Sequence, residues 1–556
     1  MVGQKIQRQY IKKGIEVTKS TSSRSWIHNP GESFNARSHS ETPPTCFLWR
    51  HPDRSYNFAM SLTPRPRLPH SPIRQWGSLA LVMLILAAAL ALPPLKLSLL
   101  ALLALGFGLA LLLRPVIGLY ALALVIPFNA VAQVPLGPTG IGPADLLAGA
   151  TFFVWFLHAT AFRPKRRAAP LLWFILPFAI ALLYATLTAR SLVAALPELA
   201  KWAEVILIYW LGAQLLTPKH RLPLVLTLLA AGSVEALIGI RQFIFQIGPD
   251  AYLLGRFLRA YGTFGQPNPY AGYLGLLLPL GISLSLWSVV SAFGNQPSAI
   301  SVQCLMRRRW ARMALPPISA GMTGLIGAGV LVSWSRGAWL GVAASTATVL
   351  ALSSVWGLGL MLALATALIL VWPALPHSIT GRISDVLQYF GVWNARGVPV
   401  TDENFAVLER VAHWQAAWEM FADHFWLGVG VGNWDAVYPD YAIGIWEASL
   451  GHAHNVLFHY AAVAGVFGAA SYLWLWLGTL WQAFRAGLRR SGLDKALAVG
   501  VTGMLVHLSI HNQFDNLWVQ GMPLLIALAL ALLPMERPGP ERAHSPSSLV
   551  TKRISL

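Results

Sequence analysis

The sequence predicts an all-α protein: a polytopic bundle of about 12–14 transmembrane helices with one large extracytoplasmic loop. Three observations predict it. Of 556 residues, 55% are hydrophobic and only 11% are charged, where a soluble protein carries about 25% charged residues. The apolar residues come in blocks of about 20, the length that crosses a bilayer. Alternating strands of about ten residues, the mark of an outer-membrane barrel, are absent. The formal net charge is +19. Its basic residues fall between apolar blocks, as in cytoplasmic loops, so no nucleic-acid partner is expected.

Residues 1–73 are polar, Ser-rich and basic. They read as a disordered cytoplasmic tail or an over-extended start of the reading frame, since such composition buries too little apolar surface to order itself. They lack the basic-then-apolar layout of a signal peptide. The membrane domain spans 74–533, with candidate spans at 76–92, 97–113, 115–134, 143–162, 170–189, 200–216, 222–245, 270–292, 315–333, 337–352, 356–373, 454–483, 496–511 and 517–533. Span 454–483 exceeds one crossing, so it is expected to tilt or to extend past the bilayer. Residues 534–556 form a second cytoplasmic tail. Cys46 lies in the first tail and Cys304 in a basic loop, which argues against a structural disulfide.

Lys and Arg in short loops set orientation. "RPKRR" at 163–167, "PKHR" at 218–221, "RRRWAR" at 307–312 and "RAGLRRSGLDK" at 485–495 are all expected inside. The connections 246–269, 334–336, 374–453 and 511–516 then face out. In the large loop 374–453, Leu408, Val411, Trp414, Trp418 and Phe421 form one stripe of a helix at about 403–424. "WLGVGVGNW" at 426–434 reads as a turn-rich crossing.

Four polar motifs share the outer side. In "RAYGTFGQPNPYAGY", 259–273, glycines and prolines break the helix after Arg259, and Asn268 opens the next span, where free N–H groups favour an anion. In "SWSRGAWLG", 333–341, Arg336 sits between two apolar spans. It either snorkels or reaches into the bundle toward a phosphate, which a guanidinium grips in bidentate fashion. In 409–434, Arg410 and His413 are three apart and share a helical face. "GHAHN", 451–455, places His452, His454 and Asn455 at the mouth of a span. The two histidines lack the i, i+4 spacing of a helical zinc site and have no obvious third ligand, so no metal is expected. Asp515 in "HNQFDN", 511–516, either orients an acceptor or caps a span; the cap is the simpler reading.

These residues resemble the O-antigen ligase and polymerase superfamily. His454–Asn455, nine residues, then Gly465–Val466–Phe467–Gly468 is similar to its H-[NSQ]-x9-G-x-x-G pattern. "YGTFGQPNPYAGYL", "SWSRGAWLG" and "WLGVGVGNW" are similar to three further segments of that superfamily, in the same order. The resemblance covers roughly 200–530. One position departs: members often carry an acidic residue where this chain has Val463.

The resemblance implies a bundle like that of the multi-helical membrane glycosyltransferases. It implies transfer of a glycan from an undecaprenyl pyrophosphate donor at the outer face of a bacterial inner membrane, with no cofactor or metal. The acceptor is a sugar hydroxyl, on a lipid A core or on another lipid-linked repeat; related members glycosylate protein side chains. Membrane lipids complete the partners. Pyrophosphate departure builds negative charge, for which Arg259, Arg336 and Arg410 are the outward cations. His454 is the candidate base, or a cation on the donor phosphate. His413, His452, Asn455 and Asn268 are candidate substrate-binding residues.

A transporter of the type associated with bicarbonate uptake is the alternative, along with a non-catalytic scaffold. A transporter should show paired ionisable groups near mid-membrane and inverted repeats. Glu204 and Glu235 lie in or near spans, but no repeat is evident. Lys201, three residues before Glu204, is the expected partner of that carboxylate.

Overall fold

The computed structural model describes residues 95–136, 139–293, 309–376, 380–381, 394–401 and 404–533. The expected tails, the candidate span 76–92 and both cysteines lie outside the described residues. The chain is a polytopic helical membrane protein. Among the described residues, seven helices are long and apolar enough to cross a membrane, and four shorter apolar helices accompany them.

The helices run α1 (Leu95–Leu113), α2 (Val116–Val125), α3 (Pro143–Phe162), α4 (Leu172–Ala185), α5 (Leu192–Leu215), α6 (Pro218–Phe245), α7 (Pro267–Phe293), α8 (Arg309–Val332), α9 (Arg336–Ser353) and α10 (Val355–Val371). After the large loop's helices α11 (Phe405–Asp423) and α12 (Trp434–Val437) come α13 (Val456–Arg489), α14 (Gly492–His511) and α15 (Met522–Ala531). Two small antiparallel hairpins sit in the connections: β1 (Val134–Leu136) with β2 (Thr139–Ile141), and β3 (Leu253–Leu254) with β4 (Phe257–Leu258).

Helix α14 packs against α7, α9 and α13, and α8 packs against α7 and α6. All ten residues of α15 are buried, and it lies on α5. A Cβ at Gly212 of α5 would stand 2.4 Å from that of Ala531, so the small residue is what lets the two backbones close. Helix α10 is apolar all round and buries no residue, as a lipid-facing helix does.

The connections sort to two ends. At one end Gln214 and Arg167 exchange backbone–amide bonds, Arg221 pairs with Asp494 at 2.7 Å, and Lys495 donates to the Ser353 carbonyl at 3.0 Å. Helix α4 carries the chain to the other end, where Ser191 exchanges bonds with Asn433 of the large loop, and α5 returns it to Gln214.

Three expectations need correction. The long span expected at 454–483 is present as Val456–Arg489 but is not one unbroken helix. The element Val456–Arg489 breaks at Gly465 (φ 63°, ψ −161°), where Val466 N–H donates to the Phe425 carbonyl and Val429 N–H to that of Ala462. The turn-rich segment 426–434 thus enters the break, and a Cβ at Gly465 would stand 2.3 Å from the Trp426 backbone. Second, the expected stripe of the loop helix is buried only in part: Leu408 and Val411 are buried along with Ala412, Ala416 and Met420, while Trp418 is 58% exposed. Third, Lys201 pairs with Glu198 rather than Glu204.

Candidate functional site

Loop 246–269 is shaped from beneath by two buried side chains of α6. Glu235 accepts from Thr263 N (2.7 Å) and Thr263 Oγ1 (3.0 Å), and Gln242 Oε1 accepts from Gly262 N (2.7 Å). A buried carboxylate needs such donors. Glu235 is therefore engaged in holding the loop, which removes one of the two groups a transporter reading would use.

The loop held this way presents Arg259. Its Nε donates to the Ser333 carbonyl at 2.9 Å and its Nη2 to Asn268 Oδ1 at 3.0 Å. Ser333 begins the turn that ends in Arg336, the first residue of α9, and Trp334 in that turn takes a left-handed φ of 54°. The sequence's first two motifs are thus one structural unit. Asn268 lies in the first turn of α7, but its amide oxygen already serves Arg259.

The other two motifs form a second unit. Arg410 on α11 donates from Nε to the Phe514 carbonyl at 2.8 Å and from Nη1 to Ala406 at 2.6 Å. Asn455 caps α13, accepting from Leu457 N and Phe458 N, and its Nδ2 donates to Gln513 Oε1 at 3.0 Å. His413 is buried between backbone carbonyls: Nδ1 bonds Glu409 O (2.7 Å) and Nε2 bonds Ala448 O (3.0 Å), and its ring stacks on Tyr438. Neither nitrogen of His413 is left for a ligand. Asn455 and His413 accordingly position the site's backbone.

His454 lies at the centre. It sits in a left-handed turn (φ 54°), 9% exposed, with its ring 4.4 Å from that of His452 and 5.2 Å from that of His413. Both its ring nitrogens are buried with no hydrogen-bond partner among the described residues. Burial first, then the charges at His452, Arg410 and His413, hold its pKa well below the ordinary imidazole value. His452 is lowered too, by burial against the opposing pull of Asp515.

His452, His454 and Asp515 bring one ligand atom each within 4.8 Å of one another. The structure so supplies the third group that the sequence hid. His454 N–H donates to His452 Nδ1 at 3.0 Å, so a neutral His452 ring carries its proton on Nε2. That nitrogen faces Asp515 Oδ1 at 3.8 Å. The trio is a His–Asp pair beside an unpartnered imidazole.

The two units meet at His511, the last residue of α14. A Cβ on Gly337, next to Arg336, would stand 3.2 Å from the His511 ring. Phe514 N and Asp515 N both donate to the His511 carbonyl. The turn 511–516 therefore joins Arg410, His452, Asn455 and the start of α9. Asp515 does more than cap: besides accepting from Asn516 N at 2.8 Å it faces His452.

Beyond His452, toward α5, lies a group the motifs did not reveal. Glu198 accepts from Lys201 and, at 3.2 Å each, from Trp202 Nε1 and Tyr460 Oη. Its signal was an acid–base pair three apart inside an apolar span.

Residues 321–473 match the family model described as O-antigen ligase. That segment includes Arg336, Arg410, His413, His452, His454 and Asn455. Arg259 and Asp515 lie outside the matched segment and join it through the contacts above. No curated protein matches the chain.

Proposed function

We propose that this chain, which carries an O-antigen ligase domain at residues 321–473, transfers a glycan from an undecaprenyl-pyrophosphate-linked donor to a sugar hydroxyl. The transfer takes place at the outer face of a bacterial inner membrane. One observation carries the reading: a buried imidazole with both nitrogens unpartnered stands beside Arg410, and the turn 511–516 joins it to the unit that holds Arg259 and Arg336.

The chemistry follows from charge. The acceptor oxygen attacks the anomeric carbon, the carbon–oxygen bond to pyrophosphate breaks, and the electron pair leaves on the phosphate oxygen. Arg259, Arg336 and Arg410 stabilise that charge without a metal. The acceptor's proton passes to His454, whose depressed pKa keeps it neutral and able to accept. This favours the base over the cationic phosphate ligand. A single displacement inverts the anomeric centre. His452 and Asp515 hold the turn that aims His454.

The test is transfer in proteoliposomes with a lipid-pyrophosphate glycan donor and a lipid-linked sugar acceptor. His454→Ala and Arg336→Ala, at matched expression, should each lower the rate by about 10²–10³-fold. Wild-type product from both would overturn the assignment, and solute flux without transfer would establish the transporter.

A further inference from the structure

The end of the bundle where Gln214 meets Arg167 carries a cavity with cations in its lining. Helix α3 stops at Phe162, and Arg163 turns the chain through a left-handed φ of 43°, strained for a side chain that is not glycine. The segment that follows is extended but pinned. Gln214 of α5 accepts from Arg167 N and donates to Arg167 O, both at 2.8 Å, and Arg167 Nη1 donates to the Leu216 carbonyl at 2.7 Å. The pinned loop wraps a cavity of about 210 Å³ lined by Arg163, Lys165, Arg166, Trp155 and Gln214. Arg163, Lys165 and Arg166 make no side-chain hydrogen bond or ion pair among the described residues. All three are solvent-exposed, and three like charges around one cavity attract an anion.

The geometry points to the phosphate headgroup of an anionic phospholipid as that anion. The cavity lies where the apolar helix α3 ends, next to Phe162, which is 75% exposed. Trp155 and Ala159 in its lining, together with arginines of bidentate reach, match a lipid phosphate with its chains alongside α3. A free phosphate would use the cations and leave the apolar flank uncovered. This site is independent of the transfer reaction and acts on the opposite end of α5, whose other end holds Glu198 and Trp202.

Native mass spectrometry of the delipidated full chain, titrated with phosphatidylglycerol or phosphatidylethanolamine, tests it. Wild type should retain phosphatidylglycerol in preference. R163Q/K165Q/R166Q should weaken that binding on the order of tenfold or more, three interfacial charges being removed. A control with equal charge loss at the same end, R485Q/R489Q/R490Q, should keep it. Equal loss in both triple variants would mean general surface attraction and overturn the site, as would equal binding of the two lipids. Full displacement of phosphatidylglycerol by millimolar inorganic phosphate would assign the cavity to free phosphate instead. A triple variant with unchanged thermal midpoint before lipid is added separates binding loss from misfolding. Should that midpoint fall, single Lys165→Gln gives the readout, and no weakening there overturns the proposal.

Discussion

The Arg410 guanidinium donates to the Phe514 carbonyl over 2.8 Å, tying the large loop's helix to the last outer turn of the bundle. One side chain thus fixes the distance between α11 and the turn that carries Asp515, while adding positive charge beside His454. Arg410→Lys keeps the charge but loses the planar fork that reaches both carbonyls. The transfer rate should fall about 10²-fold or more, since one donor at a developing oxyanion is worth that much. Measured rates for Lys within twofold of wild type would show that charge alone suffices.

The acid limb of the pH–rate profile should lie below the ordinary imidazole range. Burial is the first cause, and His452, Arg410 and His413 add to it. The stability sign follows. Unfolded histidines take up protons below about pH 6.5 while the folded His452 and His454 resist. Stability is therefore full above that pH and declines as pH falls below it. Arg410→Gln removes one depressing charge, so its acid limb should shift upward. A downward shift would contradict the account.

His413 should behave as a positioning residue. His413→Phe keeps the stacked ring and removes the Nε2 contact to the Ala448 carbonyl, at about 1–3 kcal/mol if that carbonyl stays buried. The thermal midpoint should drop while the residual activity keeps its donor KM. A large rise in KM with an unchanged midpoint would instead make it a substrate contact.

Gly465→Ala should be among the most damaging single changes. Its φ of 63° with ψ of −161° belongs to a region only glycine occupies readily, at about 1–3 kcal/mol of strain for other residues. The added Cβ would also meet the Trp426 carbonyl carbon at 2.3 Å. Yield of folded protein by size-exclusion chromatography should collapse. Folding at the wild-type level would mean the crossing segment yields easily.

Most of the apolar helices were legible because burial in lipid demands long apolar runs. The unity of the two outer units was not. Arg259 finds Ser333 and Arg410 finds Phe514 across 74 and 104 residues, and no local pattern encodes such pairs. Asp515 looked like a cap because sequence shows its neighbours, not His452 across the turn. The break at Gly465 hid inside an unbroken apolar stretch: the glycine was visible, but the strand of loop that fills the gap lies 40 residues earlier at Phe425.

That break sets how membrane thickness is felt. The loop is bonded to both sides of it: Val429 N–H donates to the Ala462 carbonyl of the short stub, and Val466 N–H of the long rod donates to the Phe425 carbonyl. Hydrophobic mismatch tilts a long rod in a bilayer. With the loop bonded on each side of the break, such a tilt is passed to segment 425–429 as well as to the stub below His454.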